Sequence, residues 1–198
     1  MKRSYKDQSG ITGLETAIIL IAFVVVAAVF AYTVLSAGLF STQRSQEAVY
    51  SSLEKTQSTL ELAGTVITQD QDNNDYVDQI DIPVKLALQG EPVDFTPNSG
   101  ATAGTHKVVI SYQDENQWKK DLEWSLTKLG SADSDNLLET NETFQLTIAN
   151  LESGTTNGLN PDLAQRTTFN ILLRSPNGAA LQIERKTPKS IDQVMNLN

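Results

Sequence analysis

A few groups of side chains in this 198-residue sequence have the types and spacing to do chemistry. Glu15 stands at the mouth of a run that is almost wholly Ala, Val, Ile, Leu or Phe from Ala17 to Leu35, with Tyr32 and Thr33 as mild exceptions. An ionised carboxylate is costly in hydrocarbon, so this acid needs a cationic partner wherever the run is buried. The segment Asp70-Gln71-Asp72-Asn73-Asn74-Asp75, with Asp78 just beyond, sets oxygen atoms at alternate positions, as Ca²⁺ loops begin. It lacks the glycine and the distal glutamate of an EF-hand, and it reads as a solvated hinge with no metal assigned. Asn141-Glu142-Thr143 is an N-x-Thr glycosylation sequon on a polar loop before a strand-like run. The sole histidine, His106, follows a loop of Gly, Thr and Ala and is expected to be exposed, without a metal role. No nucleophile is paired with a base, no glycine motif cradles phosphate, and no HExxH is present. Neither enzyme activity nor a cofactor is expected.

The elements that must carry these residues follow from composition and periodicity. The length suits one ordinary domain plus an extra element. A net charge of −9 with 20% charged residues describes an acidic, soluble surface and argues against nucleic acid as a partner. Zero cysteines remove disulfides and thiolate chemistry together. Lys2, Arg3 and Lys6 precede the apolar run and acidic sequence follows it, which predicts a cytoplasmic N-terminus and an external C-terminal domain.

Roughly 20 apolar residues are what a bilayer-spanning helix requires. A plain single-pass anchor is one reading. A secretory signal peptide fits badly, because the run is too long and no small-x-small site precedes a polar mature start. A third reading puts a cut before the run. Gly10, followed by Ile11-Thr12-Gly13-Leu14-Glu15, resembles the class III signal of type IV pilins and archaeal flagellins (archaellins). The Val/Ala-rich block and the polar segment Phe40-Ser41-Thr42-Gln43-Arg44-Ser45-Gln46-Glu47 are more similar to archaellin than to bacterial pilin, which usually begins with Phe and carries a helix proline.

The resemblance implies a leader, residues 1–10, removed by a prepilin-type signal peptidase between Gly10 and Ile11. Glu15 is then the glutamate at mature position five. Cleavage creates an α-amino group on Ile11, and at (i, i+4) that amine and Glu15 share one helix face; in the family, the glutamate instead engages a neighbour's N-terminus. The resemblance implies a structural subunit of the archaellum filament, polymerising through its hydrophobic helix into an extracellular filament that is rotated for swimming. Its partners would be other archaellin copies, the membrane before assembly, and the archaellum motor and assembly platform. An adhesive pilin is the alternative, and an anchored binding or enzymatic domain the more distant one.

Small residues four apart, Gly13/Ala17 and Ala27/Ala31, permit close helix approach. Val49, Leu53, Leu60 and Ile67 continue at helical spacing, so one helix is expected over 11–67, with a bend at Gly38 and a head carried on its later apolar stripe. A linker follows over 68–78. From 79 to 198 the period becomes two: Ile80-Ile82-Val84-Leu86-Leu88, Val108-Ile110-Tyr112, Trp118-Leu122-Trp124-Leu126, Phe144-Leu146-Ile148, Phe169-Ile171-Leu173 and Leu181-Ile183. Asn177-Gly178 is a hairpin signal. Pro83 suggests an edge strand, and both tryptophans are expected in the core. The fold class expected is α+β, a long N-terminal hydrophobic α-helix followed by an immunoglobulin-like antiparallel β-sandwich.

Overall fold

The computed structural model describes residues 9–98 and 106–197. The cationic residues Lys2, Arg3 and Lys6 and the loop preceding His106 lie outside the described residues. The chain divides into two compact units, one ending at Tyr50 and one beginning at Ser51.

Helix α1 runs over Ser9–Gln57 without interruption at Gly38. Ala, Leu and Ile favour it, and an apolar setting leaves backbone groups no better partner than each other. Its hydroxyls are satisfied in the same way: Thr33 Oγ1 donates to the Phe30 carbonyl at 2.8 Å and Thr42 Oγ1 to that of Leu39 at 2.9 Å. Lys55 complements the negative end of the helix dipole, and Thr59 Oγ1 donates to the Lys55 carbonyl at 3.0 Å, filling one orphan acceptor of the last turn.

The helix therefore stops short of the expected 11–67. The spacing of Val49, Leu53, Leu60 and Ile67 suggested one continuous stripe, yet Val49 and Leu53 are exposed and Leu60 and Ile67 lie on strands. The β-branched run Thr65-Val66-Ile67-Thr68 favours a pleated, half-buried surface over a helix.

The strands are β1 (Leu60–Leu62), β2 (Val66–Gln69), β3 (Gln79–Leu86), β4 (Val93–Asp94), β5 (Val109–Asp114), β6 (Trp118–Lys119), β7 (Ser125–Leu129), β8 (Leu137–Leu138), β9 (Thr143–Ile148), β10 (Thr168–Arg174), β11 (Leu181–Lys186) and β12 (Val194–Leu197). All pairings are antiparallel. One sheet has the order β12-β2-β3-β9-β7, with β1 also on β3; a second has the order β11-β10-β5-β6; β4 and β8 form a short ribbon. Ile80, Ile82, Val84, Phe144 and Leu146 from the first sheet share one buried cluster with Ile110, Tyr112, Phe169, Ile171 and Ile183 from the second. Two antiparallel sheets closed over a common apolar interior make a sandwich.

Three further expectations are corrected. The linker over 68–78 is part of the sandwich: β2 ends at Gln69, the loop joins β2 to β3, and Thr68, Asp70 and Val77 are all buried. Pro83 lies on an interior strand, paired with Gln145 of β9. On its other flank β3 exchanges β2, paired at 79–81, for β1, paired at 84–86, and the missing N–H of proline costs least in that gap. Finally, an irregular segment separates β6 from β7, and Trp124 is buried whereas Trp118 is 57% exposed.

Gly178 lies in the turn joining β10 and β11, with no positive φ to explain it. The reason is steric, since a Cβ there would collide with the Ser58 carbonyl oxygen and with Ser175 Oγ. Gly178→Ala is expected to destabilise the sandwich by about 1–3 kcal/mol, the usual cost of overpacking, read as a lowered urea midpoint at unchanged slope.

Candidate assembly surface

Among the described residues, α1 is exposed along its whole length from Gly13 to Tyr50. Phe23 is 75% exposed, Phe30 69% and Leu20 64%. From Ala17 to Leu35 the helix is apolar on every side, and with a mean hydropathy of 2.9 in its most apolar stretch it is long and apolar enough to cross a membrane. Each large apolar side chain left in water forgoes about 1.5–3 kcal/mol of burial. A helix of this kind is buried in lipid or among other helices.

Gly10 and Ile11 fall within the helical backbone. Glu15 follows on the next turn, exposed and, among the described residues, without a side-chain partner. A Cβ added at Gly13 or Gly38 would meet nothing within 4 Å. Each glycine costs a helix interior about 1 kcal/mol relative to alanine, and nothing among the described residues requires either one. Arg44 lies 5.3 Å from the centre of the Phe40 ring, where the polar half of the helix begins.

The acidic loop is more ordered than a hinge. Asp70, Asp72 and Asp78 bring carboxylate oxygens within 4.8 Å of one another, close enough for one cation. Asp70, 3% exposed, is already engaged by backbone: its Oδ1 accepts from Asn73 N at 2.7 Å and Asn74 N at 3.3 Å, and its Oδ2 accepts from Asp75 N at 3.1 Å. Asn73 and Asp75 take positive φ to aim these amides. Asp70→Ala in chelator-treated buffer is expected to cost about 1–3 kcal/mol, because buried donors lose their acceptor. Denaturant titration measures it, and a neutral result removes Asp70 from any structural role.

Asn141 is exposed, with φ of 70°, on the turn entering β9. Beside it Glu142 is buried and accepts from Asp133 N at 2.9 Å and Glu139 N at 3.0 Å, holding the turn while the asparagine points away from the core. His106 is largely enclosed, contrary to expectation, with its side chain 11% exposed and Nε2 3.2 Å from Asp121 Oδ2.

The strongest signal in the chain is thus a long, exposed apolar helix in a chain that also folds a β-sandwich. The family model of archaeal-type flagellin matches residues 10–185. "Probable flagellin 1" of Archaeoglobus fulgidus is 35% identical over 209 residues, covering 98% of both chains. The solved archaeal flagellum of Methanospirillum hungatei strain JF1 superposes with a TM-score of 0.66 at 26% identity, covering 93% of this chain and 98% of that one. The crystal structure of archaeal flagellin FlaB1 from Methanocaldococcus jannaschii shares the fold, with a TM-score of 0.55 at 12% identity over 71% of this chain and 96% of that one. Together with the exposed helix and the β-sandwich, these similarities show that the chain belongs to the archaeal-type flagellin family and is a structural filament subunit.

Proposed function

We propose that this subunit is made as a single-pass membrane precursor with its N-terminus in the cytoplasm, is cut between Gly10 and Ile11 by a prepilin-type peptidase, and then polymerises outside the cell into a filament turned by the archaellum motor. The observation that carries the reading is the uncovered helix, apolar all round and interrupted by one acid. Proteolysis at Gly10 supplies that acid with an amine within reach, on its own chain or on a neighbour. The pair then enters the helical bundle as a neutral unit. Gly13 and Gly38 offer slim surfaces where neighbouring helices approach closely. Identical apolar contacts repeated along a non-closing array make a fibre without covalent links. The pilin alternative is not favoured by the family match.

The test is the N-terminal sequence of the main protein in purified extracellular filaments. Ile-Thr-Gly-Leu-Glu is the expected start, and a chain beginning at Met1 and retained in the cell envelope overturns the proposal. Asn141 is the proposed glycan acceptor on the outer domain, supported by its exposure and outward turn. An intact mass equal to that of the bare processed chain would exclude occupancy.

A further inference from the structure

Two Asn-Gly pairs occur in the sequence, Asn157-Gly158 and Asn177-Gly178. Such a pair is chemically labile, because the amide nitrogen of a residue without a Cβ reaches the preceding asparagine side chain unhindered. Packing nevertheless requires both glycines. A Cβ on Gly178 would collide with the Ser58 carbonyl oxygen, and one on Gly158 would stand 2.8 Å from the Glu152 carbonyl oxygen. The two asparagines are held differently. Asn157 is 5% exposed; its Nδ2 donates to the carbonyls of Glu123 at 2.7 Å and Ala149 at 2.8 Å, and its Oδ1 accepts from Glu123 N at 2.7 Å. Asn177 is exposed, on the turn between β10 and β11. Its Nδ2 donates to Glu54 Oε1 at 2.8 Å, near the end of α1, and the Gly178 amide donates to Ser175 Oγ at 3.0 Å. Glu54, Ser58 and this turn all belong to the second compact unit.

We propose that Asn177 is a deamidation site gated by Glu54 and Ser175, and that its product opens the contact between the end of α1 and the β10–β11 turn. The Gly178 nitrogen attacks Cγ of Asn177, the bond from Cγ to Nδ2 breaks, and the Gly178 amide proton leaves with the amine as ammonia. Water then opens the succinimide at either carbonyl, giving aspartate or isoaspartate. In the folded turn both reacting groups are engaged. Glu54 fixes the electrophilic amide, Ser175 holds the N–H of the nucleophile, and the slot against Ser58 restrains Gly178. These bonds lie at the surface and open locally, whereas Asn157 is freed only when the core opens. The product has a structural consequence. Aspartate at this position sets a carboxylate where an amide donated to Glu54, and like charges at that range repel. Lys107 lines the same cavity of about 130 Å³ as Ser58 and Asn177, yet its ammonium is committed to Asp94 Oδ2 at 2.9 Å. Isoaspartate also lengthens the backbone and displaces Gly178 from its slot. The reaction is independent of processing at Gly10 and of any modification at Asn141.

The experiment holds the full-length chain in detergent at mildly alkaline pH, with a parallel sample unfolded in guanidinium chloride. Peptide mass spectrometry follows amide-to-acid conversion at both pairs. Unfolded, the two are expected to convert at comparable rates. Folded, Asn157 is expected to slow by about 10³-fold or more, as the unfolded population is that small, and Asn177 by only about tenfold to a hundredfold, the strength of an exposed bond to a charged group. Glu54→Ala and Ser175→Ala are each expected to speed Asn177 several-fold in the folded chain. Both leave the guanidinium rate unchanged, and an unchanged rate at Asn157 verifies that the core is intact. Asn177→Asp, standing in for the product, is expected to raise amide hydrogen exchange over residues 51–58 by about tenfold, and Asn177→Ala, which adds no repulsion, by less. The proposal is overturned if folded Asn177 converts as slowly as Asn157 or as fast as in guanidinium. It is equally overturned if neither Glu54→Ala nor Ser175→Ala speeds conversion, or if Asn177→Asp leaves exchange at 51–58 unchanged.

Discussion

Cells producing Glu15→Gln in place of the native subunit are expected to make processed protein but almost no filaments. The substitution preserves size and the helix, and it removes only the charge. In the proposed bundle the amine of Ile11 then stands unpaired in an apolar setting. Breaking a buried ion pair by deleting one partner costs about 3–5 kcal/mol. At about 1.4 kcal/mol per tenfold, the subunit concentration that sustains growth rises on the order of 10²–10³. Electron microscopy of shed filaments and swimming assays read the effect, while the size of the membrane-bound pool reports that the leader was still removed. Filaments of normal number and length in this variant would show that the acid has no part in assembly. The helix holds no other ionisable side chain, tyrosine excepted, from Ser9 until Arg44, so no neighbouring carboxylate can substitute.

Trp124→Ala is expected to remove most of the stability of the sandwich. The indole is 1% exposed and meets Phe95 edge to face, with ring centres 6.1 Å apart at 78°. Phe95 in turn meets Phe144 at 6.0 Å and 85°, so one aromatic chain ties the β6–β7 connection to β9. Truncating a buried tryptophan costs about 3–5 kcal/mol, a large share of the roughly 5–15 kcal/mol typical of whole domains. Urea titration of the full-length chain, followed by near-ultraviolet circular dichroism, measures the loss. Trp124→Phe is expected to cost less than half as much. Its smaller ring leaves a void, but the indole N–H it deletes is buried without a hydrogen-bond partner, and burying such a donor costs about 1–3 kcal/mol.

The elements easiest to read from sequence were those governed by a single strong period. Ile80-Ile82-Val84, Phe144-Leu146-Ile148 and Phe169-Ile171-Leu173 alternate because one face of each strand meets the core, and all nine side chains are buried. The apolar run was equally plain, since no tertiary context alters an all-round hydrophobic helix. Sequence failed where two periods coincide. Leu53, Leu60 and Ile67, seven apart, satisfy a helix, but the β-branched cluster at 65–68 and the pairing of Ile67 with Asp81 and Asn196 make it a strand. The loop at 70–78 looked solvated because its residues are polar. Its burial comes from Asp70 gathering three amides, a long-range packing outcome that composition does not encode. Local alternation alone places Trp118 in the core. The irregular segment after Lys119 interrupts that alternation, and only the pairing of Gln113 with Trp118 reveals the row it joins.

The last described strand, β12 at Val194–Leu197, zips onto β2 at Val66–Gln69, so strands from late and early in the sandwich sequence are hydrogen-bonded neighbours. A polypeptide emerging amino end first cannot complete that ladder until β12 has cleared the synthesis and export machinery. Until then the free rim of β2 stays open to pairing with the wrong chain. Deleting β12 would therefore harm yield through stray aggregation well before it harmed any contact between finished subunits.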